Sequence, residues 1–352
     1  MAERVTIVDV AREAGVAIST VSASLNGRDG VSAATRERVA GIAQRMGWVP
    51  SIRGRSLVSR RAWAVGLLLQ RPASVLEADP FFAGFLGGVE TVLDAAGYAL
   101  LLQMAATDDQ MLNRVPRWAL GGAVDGIFLT DVQRDDPRFG LVEELGLPAV
   151  AVNATSPSSH ISSVSQNHRD GLRQLVEHLI WLGHRSIAHV SGPGTFVHAI
   201  EREQVWRETL GRAGLAEGPL VRGDFTSASG VRAADRLLGL AEPPTAVVCA
   251  NDLTAVGFIS RAAALGINLP EELSVTGFDG IQLASYTTPA LTTVQTSPHE
   301  LGRRAAEVLL NRINGHPAER VSIDPAQLVV RDSTVQPRRV IRPQRGRALP
   351  AG

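Results

Sequence analysis

Short continuous runs of apolar residues alternate with amphipathic stretches over most of this chain of 352 residues. The first series has apolar runs at 64–69, 98–102, 124–129 and 149–152, and an amphipathic helix is predicted from Phe81 to Ala96. Continuous apolar runs of this length, separated by helices, are typical of a doubly wound parallel sheet that is covered on both faces.

A second series of the same kind follows the first. Its helices and strands are predicted at 171–182, 187–190, 200–213, 246–249, 253–265, 273–276 and 301–313. Two such series predict a two-lobed α/β body. Its cleft would lie at the carboxyl ends of the strands, where folds of this class bind ligands.

The N-terminal segment has a different pattern, with apolar positions at helical spacing. Thr6 precedes Asp9 by three residues, an arrangement that caps the start of a helix. Gly15 permits a sharp turn before a second short helix, and a third helix is predicted from Ser32 to Met46. The positions expected to pack these helices together are Ile7, Val10, Ala11, Ala14, Val16, Val21, Leu25, Val39, Ile42, Ala43 and Met46.

The second short helix would present small side chains away from this core. These are Ile18, Ser19, Ser22, Ala23 and Asn26. A short helix with small polar side chains fits the major groove of DNA, so the pattern predicts a DNA-binding helix-turn-helix. Taken alone, the same residues would also be compatible with an ordinary helical hairpin.

The formal net charge is zero, but the charges are unevenly distributed. Residues 1–61 contain ten Arg and five acidic residues, whereas residues 331–352 contain six Arg and one Asp. The body between them carries 19 Arg and 29 acidic residues. A cationic N-terminal segment on an anionic body directs a polyanion to that segment, which supports the DNA-binding interpretation.

Other features argue against several classes of protein. Cys249 is the only cysteine, so neither an intrachain disulfide nor a Cys-based zinc site is expected. There is no recognisable secretory signal, and no apolar stretch reaches the ~18 residues of a membrane span. We therefore expect a cytoplasmic, nucleoid-associated protein without membrane contact. Because phosphate-loop, nucleophile-elbow and complete dinucleotide motifs are absent, we expect no enzymatic activity, no cofactor and no metal.

Segments 6–26, 31–39, 47–50 and 55–57 resemble, in that order, the helix-turn-helix, third helix and hinge helix of the lac repressor (LacI/GalR) family. The body resembles the effector-binding domain of the same family. The segments that carry this second resemblance are 79–82, 124–127, 177–179, 182–185, 251–252, 277–279 and 291–294.

The resemblance implies an N-terminal all-α headpiece at 1–50, a hinge helix or linker at 51–61 and a two-lobed domain at 62–335. This domain would resemble periplasmic binding proteins. The chain would cross between the lobes near residues 163, 292 and 321. Lobe 1 would then comprise 62–162 and 293–320, and lobe 2 would comprise 163–292 and 321–335. We expect the Arg- and Pro-containing tail, 336–352, to be disordered.

The same resemblance implies which residues contact DNA. Ile18, Ser19 and Ala23 correspond to base-reading positions, where Ile18 and Ala23 offer only apolar contacts. The positions that match phosphate contacts are Thr6, Thr20, Ser22 and Asn26.

Leu57 matches the hinge leucine that wedges into the minor groove of DNA, and Arg55 would contact the sugar–phosphate backbone of the DNA beside it. Alternatively, Leu57 is simply the first core residue of the body. The sequence departs from the family pattern at two positions, and each departure lowers the stability of a helix in the DNA-binding segment. Ala17 stands where a capping Ser is usual, and Gly54 lowers the helix propensity of the hinge.

In the cleft, Arg202 matches the effector-contacting arginine of the family, and Asp279 matches an acid that binds ligand hydroxyl groups. A guanidinium and a carboxylate facing each other across a cleft would suit a polyhydroxylated ligand. Phe82 and Phe225 match aromatic positions of the pocket. The remaining implied effector residues are Asp79, Gln166, Asn251 and Thr296.

These features together predict a ligand-responsive transcriptional regulator, a repressor of carbohydrate-metabolism genes. We expect a homodimer, because the tail lacks the leucine heptads that would build a tetramer. A homodimer would bind a palindromic operator. The predicted effector is a sugar or sugar derivative. Two alternatives are a regulator that responds to a purine or nucleoside, and a sugar-binding protein without a DNA function.

Overall fold

A computed structural model describes residues 5–25, 30–48, 61–71, 79–105, 107–154 and 160–338. These residues divide into two compact units, one that ends at Trp63 and one that begins at Ala64. Most of the predicted hinge and the tail beyond residue 338 lie outside the described residues. So do three of the predicted DNA contacts, Asn26, Arg55 and Leu57.

The first unit consists of α1 (Ile7–Ala14), α2 (Ile18–Leu25) and α3 (Ala33–Arg45). The predicted capping box is confirmed, since Thr6 Oγ1 accepts the Asp9 N–H and Asp9 Oδ2 accepts the Thr6 N–H at 2.9 Å. Gly15 ends α1 with φ at 62°, a left-handed conformation that favours glycine.

All the predicted apolar positions of this unit belong to one hydrophobic core. Val10, Val21 and Val39 are fully buried at its centre, one from each helix. Ser24 is an unforeseen member of the buried face, and its hydroxyl donates to the Thr20 carbonyl oxygen at 2.7 Å. The sequence therefore predicts this packing well because each helix has a single apolar face.

The second unit alternates strands and helices. Its elements, numbered in chain order after α3, are β1 (Ala64–Leu69), α4 (Pro80–Ala96), β2 (Ala99–Met104), α5 (Asp108–Leu120), β3 (Gly126–Leu129), α6 (Arg138–Glu144), β4 (Ala149–Val152), β5 (Ser162–Gln166), α7 (Arg169–Trp181), β6 (Ile187–Ser191), α8 (Val197–Arg212), β7 (Leu220–Arg222), α9 (Ser227–Leu238), β8 (Ala246–Cys249), α10 (Asp252–Ala264), β9 (Ser274–Thr276), β10 (Thr293–Gln295), α11 (Pro298–Ile313), β11 (Arg320–Ile323) and β12 (Gln327–Val329).

Two parallel sheets organise this unit into two lobes. The first sheet has the order β11-β5-β4-β3-β1-β2, and the second has the order β7-β6-β8-β9. In the first lobe α4 packs against α11, and in the second α9 packs against α10. The predicted doubly wound α/β class is confirmed. The winding direction reverses between β1 and β3 in the first sheet and between β6 and β8 in the second.

The chain crosses between the lobes three times. The crossings follow β5, β10 and β11, because β5 and β11 pair with each other in the first sheet, whereas β10 pairs with β12 beside the second. They lie a few residues later than the expected positions near 163, 292 and 321. Apolar periodicity gives no indication of this shift, since β5 and β11 together contain four Ser residues and Arg320.

In the described part of the chain, no helix is both long enough and apolar enough to cross a membrane.

Candidate effector cleft and DNA interface

The eight residues that the family resemblance implied for effector binding come together in one pocket of the second unit. The pocket lies where the carboxyl ends of the two parallel sheets face each other, next to both reversal points of the winding. The residues are Asp79, Phe82, Gln166, Arg202, Phe225, Asn251, Asp279 and Thr296.

Arg202 and Asp279 form the charged centre of the pocket. Arg202 Nη2 lies 3.7 Å from Asp279 Oδ1, and both side chains are about nine-tenths buried, with 10% of each exposed. Both come from the second lobe: Arg202 from α8 and Asp279 from the loop after β9. The expectation that they face each other across the cleft is therefore wrong. They lie side by side, because their elements leave the same sheet at the same edge.

The pair retains unused hydrogen-bonding capacity. Arg202 donates to the Ala250 carbonyl oxygen, and its guanidinium carbon lies 3.8 Å from the centre of the Phe278 ring. Arg202 Nε is buried without a hydrogen-bond partner among the described residues. Burial raises the pKa of Asp279 well above its usual value, against the opposing effect of Arg202. Such a site gains free energy from a ligand that donates to the carboxyl and accepts from the guanidinium.

A wall of three stacked aromatic rings stands beside the pocket, and two of them, His198 and Phe225, line it. His198 stacks on Phe196 with ring centres 5.7 Å apart, and on Phe225 with ring centres 5.4 Å apart. Desolvation is the largest cause that lowers the pKa of His198, to about 3, so this ring is neutral at physiological pH. Gly192 makes room for the wall, because a Cβ atom there would lie 2.1 Å from the Phe225 ring. His198 and Phe225 give this side of the pocket an aromatic surface.

Three of the implicated residues support the backbone of the pocket. Asn251 caps α10 and donates its amide to the Phe225 carbonyl oxygen at 2.9 Å, which holds the strained Phe225 at φ 67°. Thr296 Oγ1 donates to the Asp279 carbonyl oxygen at 3.0 Å. Asp79 caps α4 by accepting the Phe81 N–H at 3.1 Å, and burial raises its pKa. Phe82, also on α4, is 2% exposed.

Gln166 ties the crossings between the lobes together. Its Nε2 donates to the Asp324 carbonyl oxygen at 2.9 Å, and its Oε1 accepts the Ser297 N–H at 3.0 Å. One side chain thereby connects all three crossing segments, since Gln166 itself ends β5. Each end of its amide makes one of these bonds, so Gln166 supports the segments that cross between the lobes.

Sequence reasoning missed a second charged pair in the pocket, Arg71 and Asp131. Arg71 Nε and Nη2 donate to the two carboxylate oxygens of Asp131 at 2.7 and 2.6 Å. A positional signal was available. Each residue lies just beyond the carboxyl end of a strand, β1 or β3, and these are the two strands that flank the reversal point of the first sheet.

In the first unit, the predicted base-reading side chains lie on the outer side of α2. Ile18 is 48% exposed, and Ser19 is also exposed. Thr20, Ser22 and Ala23 are partly buried, and Thr6 is exposed at the start of α1. Although Ala17 lacks a capping hydroxyl, α2 begins at Ile18, and the Ala17 carbonyl oxygen accepts the Thr20 and Val21 N–H groups.

No group of three or more His, Cys, Asp or Glu side chains in the described ranges is arranged to hold a metal ion. Cys249 is a buried free thiol, and burial raises its pKa.

Comparison with known proteins agrees with this arrangement of units. Residues 6–51 match the sequence model of the family 'bacterial regulatory proteins, lacI family'. Residues 176–334 match the sequence model of the periplasmic binding protein-like domain. The HTH-type transcriptional regulator CelR of Thermobifida fusca is 36% identical over 335 residues, which cover 94% of this chain and 98% of CelR. The HTH-type transcriptional repressor CytR of Escherichia coli (strain K12) is 32% identical, with coverage of 94% and 96%.

Solved structures of two such proteins have the same fold. A lac repressor dimer bound to operator and the anti-inducer ONPF matches with a TM-score of 0.81 and 27% identity, covering 95% of this chain and 100% of that one. A complex of CelR with cellobiose matches with a TM-score of 0.73 and 34% identity, covering 94% and 100%. This chain belongs to the LacI family of bacterial helix-turn-helix transcriptional regulators.

Proposed function

We propose that this protein is a homodimeric repressor whose affinity for a palindromic operator is set by a sugar bound in the cleft of the second unit. The observation that carries the proposal is the loose Arg202–Asp279 pair, which keeps open bonding capacity beside a wall of aromatic rings. We assign no catalytic step to this cleft, and we expect the protein to act in the cytoplasm.

A sugar fits the chemistry of this pair. Neighbouring hydroxyl groups can donate to Asp279 while they accept from Arg202, so one ring satisfies both groups at once. The apolar face of the same ring can stack on an aromatic side chain. CelR, whose solved complex contains cellobiose, is the relative that makes a β-linked glucose disaccharide the first ligand to test. A nucleoside is the second candidate, because the neutral ring of His198, which lines the pocket, would also give a planar base an aromatic contact.

At the DNA end, the exposed apolar Ile18 and the exposed Ser19 support base reading by α2. We expect Ile18 and Ala23 to pack on thymine methyl groups, with Ser19 as the main hydrogen-bonding group. Thr6, Thr20 and Ser22 are our candidates for phosphate contacts, and Asn26, Arg55 and Leu57 remain predictions from the family resemblance. A dimer, as in the lac repressor structure, would present two such helices to a palindromic site.

Ligand binding to the purified protein tests the effector assignment. Isothermal titration with cellobiose, glucose, cytidine and hypoxanthine should give saturable heat with a sugar, and Arg202→Ala should weaken that binding by roughly ten- to a hundredfold. Arg232→Ala is the matched control, because Arg232 is an exposed arginine of the second lobe whose partner is Asp224. If only a nucleoside binds, the effector is a nucleoside and the sugar assignment is wrong. If Arg202→Ala binds the same ligand as tightly as the unchanged protein does, the site is elsewhere.

A further inference from the structure

Arg71 lies inside a cage of three phenylalanine rings. Its guanidinium carbon is 5.5 Å from the ring centre of Phe82, 5.3 Å from that of Phe196 and 5.1 Å from that of Phe225. Three aromatic rings at nearly equal distance from a cation form the kind of cage that binds cationic ligands. Here the cage already holds a cation from the same chain.

The cage spans the two lobes. Phe82 and Arg71 belong to the first lobe, whereas Phe196 and Phe225 belong to the second. At the same edge of the cleft, the Val197 N–H donates to the Val132 carbonyl oxygen at 2.9 Å, and the Arg134 N–H donates to the Thr195 carbonyl oxygen at 3.2 Å. The backbones therefore hold the lobes together where Arg71 fills the space between their rings.

Asp131 fixes the guanidinium in this position. The two-point contact uses Nε and Nη2, and the side chains of Arg71 and Asp131 are only 9% and 6% exposed. Moving Arg71 out of the cage would leave the buried Asp131 carboxylate without its partner, which is strongly unfavourable. The Arg71 side chain is therefore fixed in place, and a ligand that enters the pocket must bind with Arg71 still in the cage.

We propose that Arg71 is a specificity-determining residue of this pocket: it occupies the cage of Phe82, Phe196 and Phe225 and keeps ligand groups out of it, with Asp131 as its positioning residue. The effector is then restricted to the part of the pocket beside Arg202 and Asp279. This restriction rests on the proposed function, whereas the exclusion of guests from the cage does not depend on the identity of the effector.

Chemical rescue of Arg71→Ala with ethylguanidinium tests the exclusion directly. This variant empties the cage but leaves the Asp131 carboxylate, so millimolar ethylguanidinium should raise its melting temperature and give a saturable binding heat. The unchanged protein and the exposed control Arg232→Ala should show neither effect beyond that of sodium chloride at equal ionic strength. If Arg71→Ala folds only in the presence of ethylguanidinium, that result supports the same occupancy. Equal responses of Arg71→Ala and the unchanged protein would overturn the proposal, as would failure of ethylguanidinium to restore folding.

Positioning by Asp131 has a separate readout. Adding Asp131→Asn to Arg71→Ala should weaken ethylguanidinium binding at least tenfold, because the two-point contact with a carboxylate is lost. Equal affinity for ethylguanidinium in the single and double variants would show that Asp131 does not position the guanidinium group.

The effect of Arg71 on effector selectivity is measured as the ratio of the affinity for cellobiose to the affinity for glucose. Opening the cage should raise this ratio at least tenfold in Arg71→Ala, because the second ring gains aromatic faces. If Arg71→Ala binds ethylguanidinium but shows an unchanged ratio when ethylguanidinium is absent, the cage does not set specificity. Rescue by ethylguanidinium with no sugar binding in either protein would refute the sugar assignment and leave the exclusion of guests by Arg71 intact.

Discussion

Arg202 and Asp279 lie side by side in the cleft, with Nη2 and Oδ1 separated by 3.7 Å. At this distance the attraction between the charges persists, but no direct hydrogen bond saturates either group. A ligand hydroxyl placed against both would complete the bonding of two side chains that are about nine-tenths buried. This arrangement leads to the first prediction.

Arg202→Ala and Asp279→Asn should each weaken effector binding by roughly ten- to a hundredfold, since a hydrogen bond to a charged group contributes about 1.5–3 kcal/mol. Operator affinity without ligand should stay near that of the unchanged protein, because neither residue belongs to the first unit. Titration of ligand and operator into each variant measures both properties. A normal ligand response in both variants would contradict the site assignment.

Gly192→Ala should disturb the pocket without altering a polar group. The new methyl group would lie 2.1 Å from the Phe225 ring, so the ring must move, at a cost of about 1–3 kcal/mol in stability. Effector affinity should fall with it. Gly194→Ala is the matched control, because its methyl group would lie 3.5 Å from Arg222, an ordinary contact. Chemical denaturation and ligand titration of the two variants should differ clearly, and equal behaviour would contradict the packing described here.

His198→Phe should flatten the pH dependence of stability. The pKa of His198 is lowered to about 3, first by desolvation and then by Arg202, so the ring stays neutral in the folded protein while it takes up a proton in the unfolded chain. Its contribution is therefore present above pH 6.5 and is lost as the pH falls towards 3. Each such proton changes the free energy of unfolding by at most ~1.4 kcal/mol per pH unit.

Denaturation of both proteins between pH 7 and 4 measures this difference. The free energy of unfolding should fall more steeply with decreasing pH in the unchanged protein than in His198→Phe, which keeps the stacked ring. Identical slopes would mean that the folded protein does not hold His198 as a neutral ring.

Ala17→Ser should stabilise the start of α2. The structure begins this helix at Ile18 without a capping hydroxyl at Ala17, and such a cap contributes about 0.5–2 kcal/mol. Hydrogen exchange at residues 18–25 should slow in the variant, whereas exchange in α3 should change less. Unchanged exchange in α2 would show that the absent cap has no consequence for this helix.

Much of the fold follows from the sequence because apolar burial dominates it. β1, β4 and β8 form where continuous apolar runs predict them, and the core of the first unit contains every expected position. The unforeseen elements have other compositions. α5 contains Pro116, which usually ends a helix, and α9 is built from Ser, Ala and Gly residues with few large apolar side chains. Their stability depends on tertiary packing, which periodicity does not report.

The candidate site divides in a similar way. The family resemblance identified eight residues that line the cleft, but it did not reveal how each is used. Gln166 is one example, because its support of the crossings depends on Ser297 and Asp324, which are distant in sequence. Arg71 is another, because its cage is assembled from three separate elements. Contacts of this kind arise only when the chain has folded.

The central claim is that a ligand in the cleft changes the affinity of the protein for DNA. The most direct measurement is fluorescence anisotropy on a palindromic operator selected from random DNA, with and without saturating ligand, for the unchanged protein and Arg202→Ala. We predict that ligand shifts the operator affinity of the unchanged protein at least fivefold, within the usual range of allosteric coupling, and that the same ligand concentration shifts the operator affinity of Arg202→Ala much less. A ligand that binds with saturable heat in the cleft but does not shift operator affinity would contradict the account.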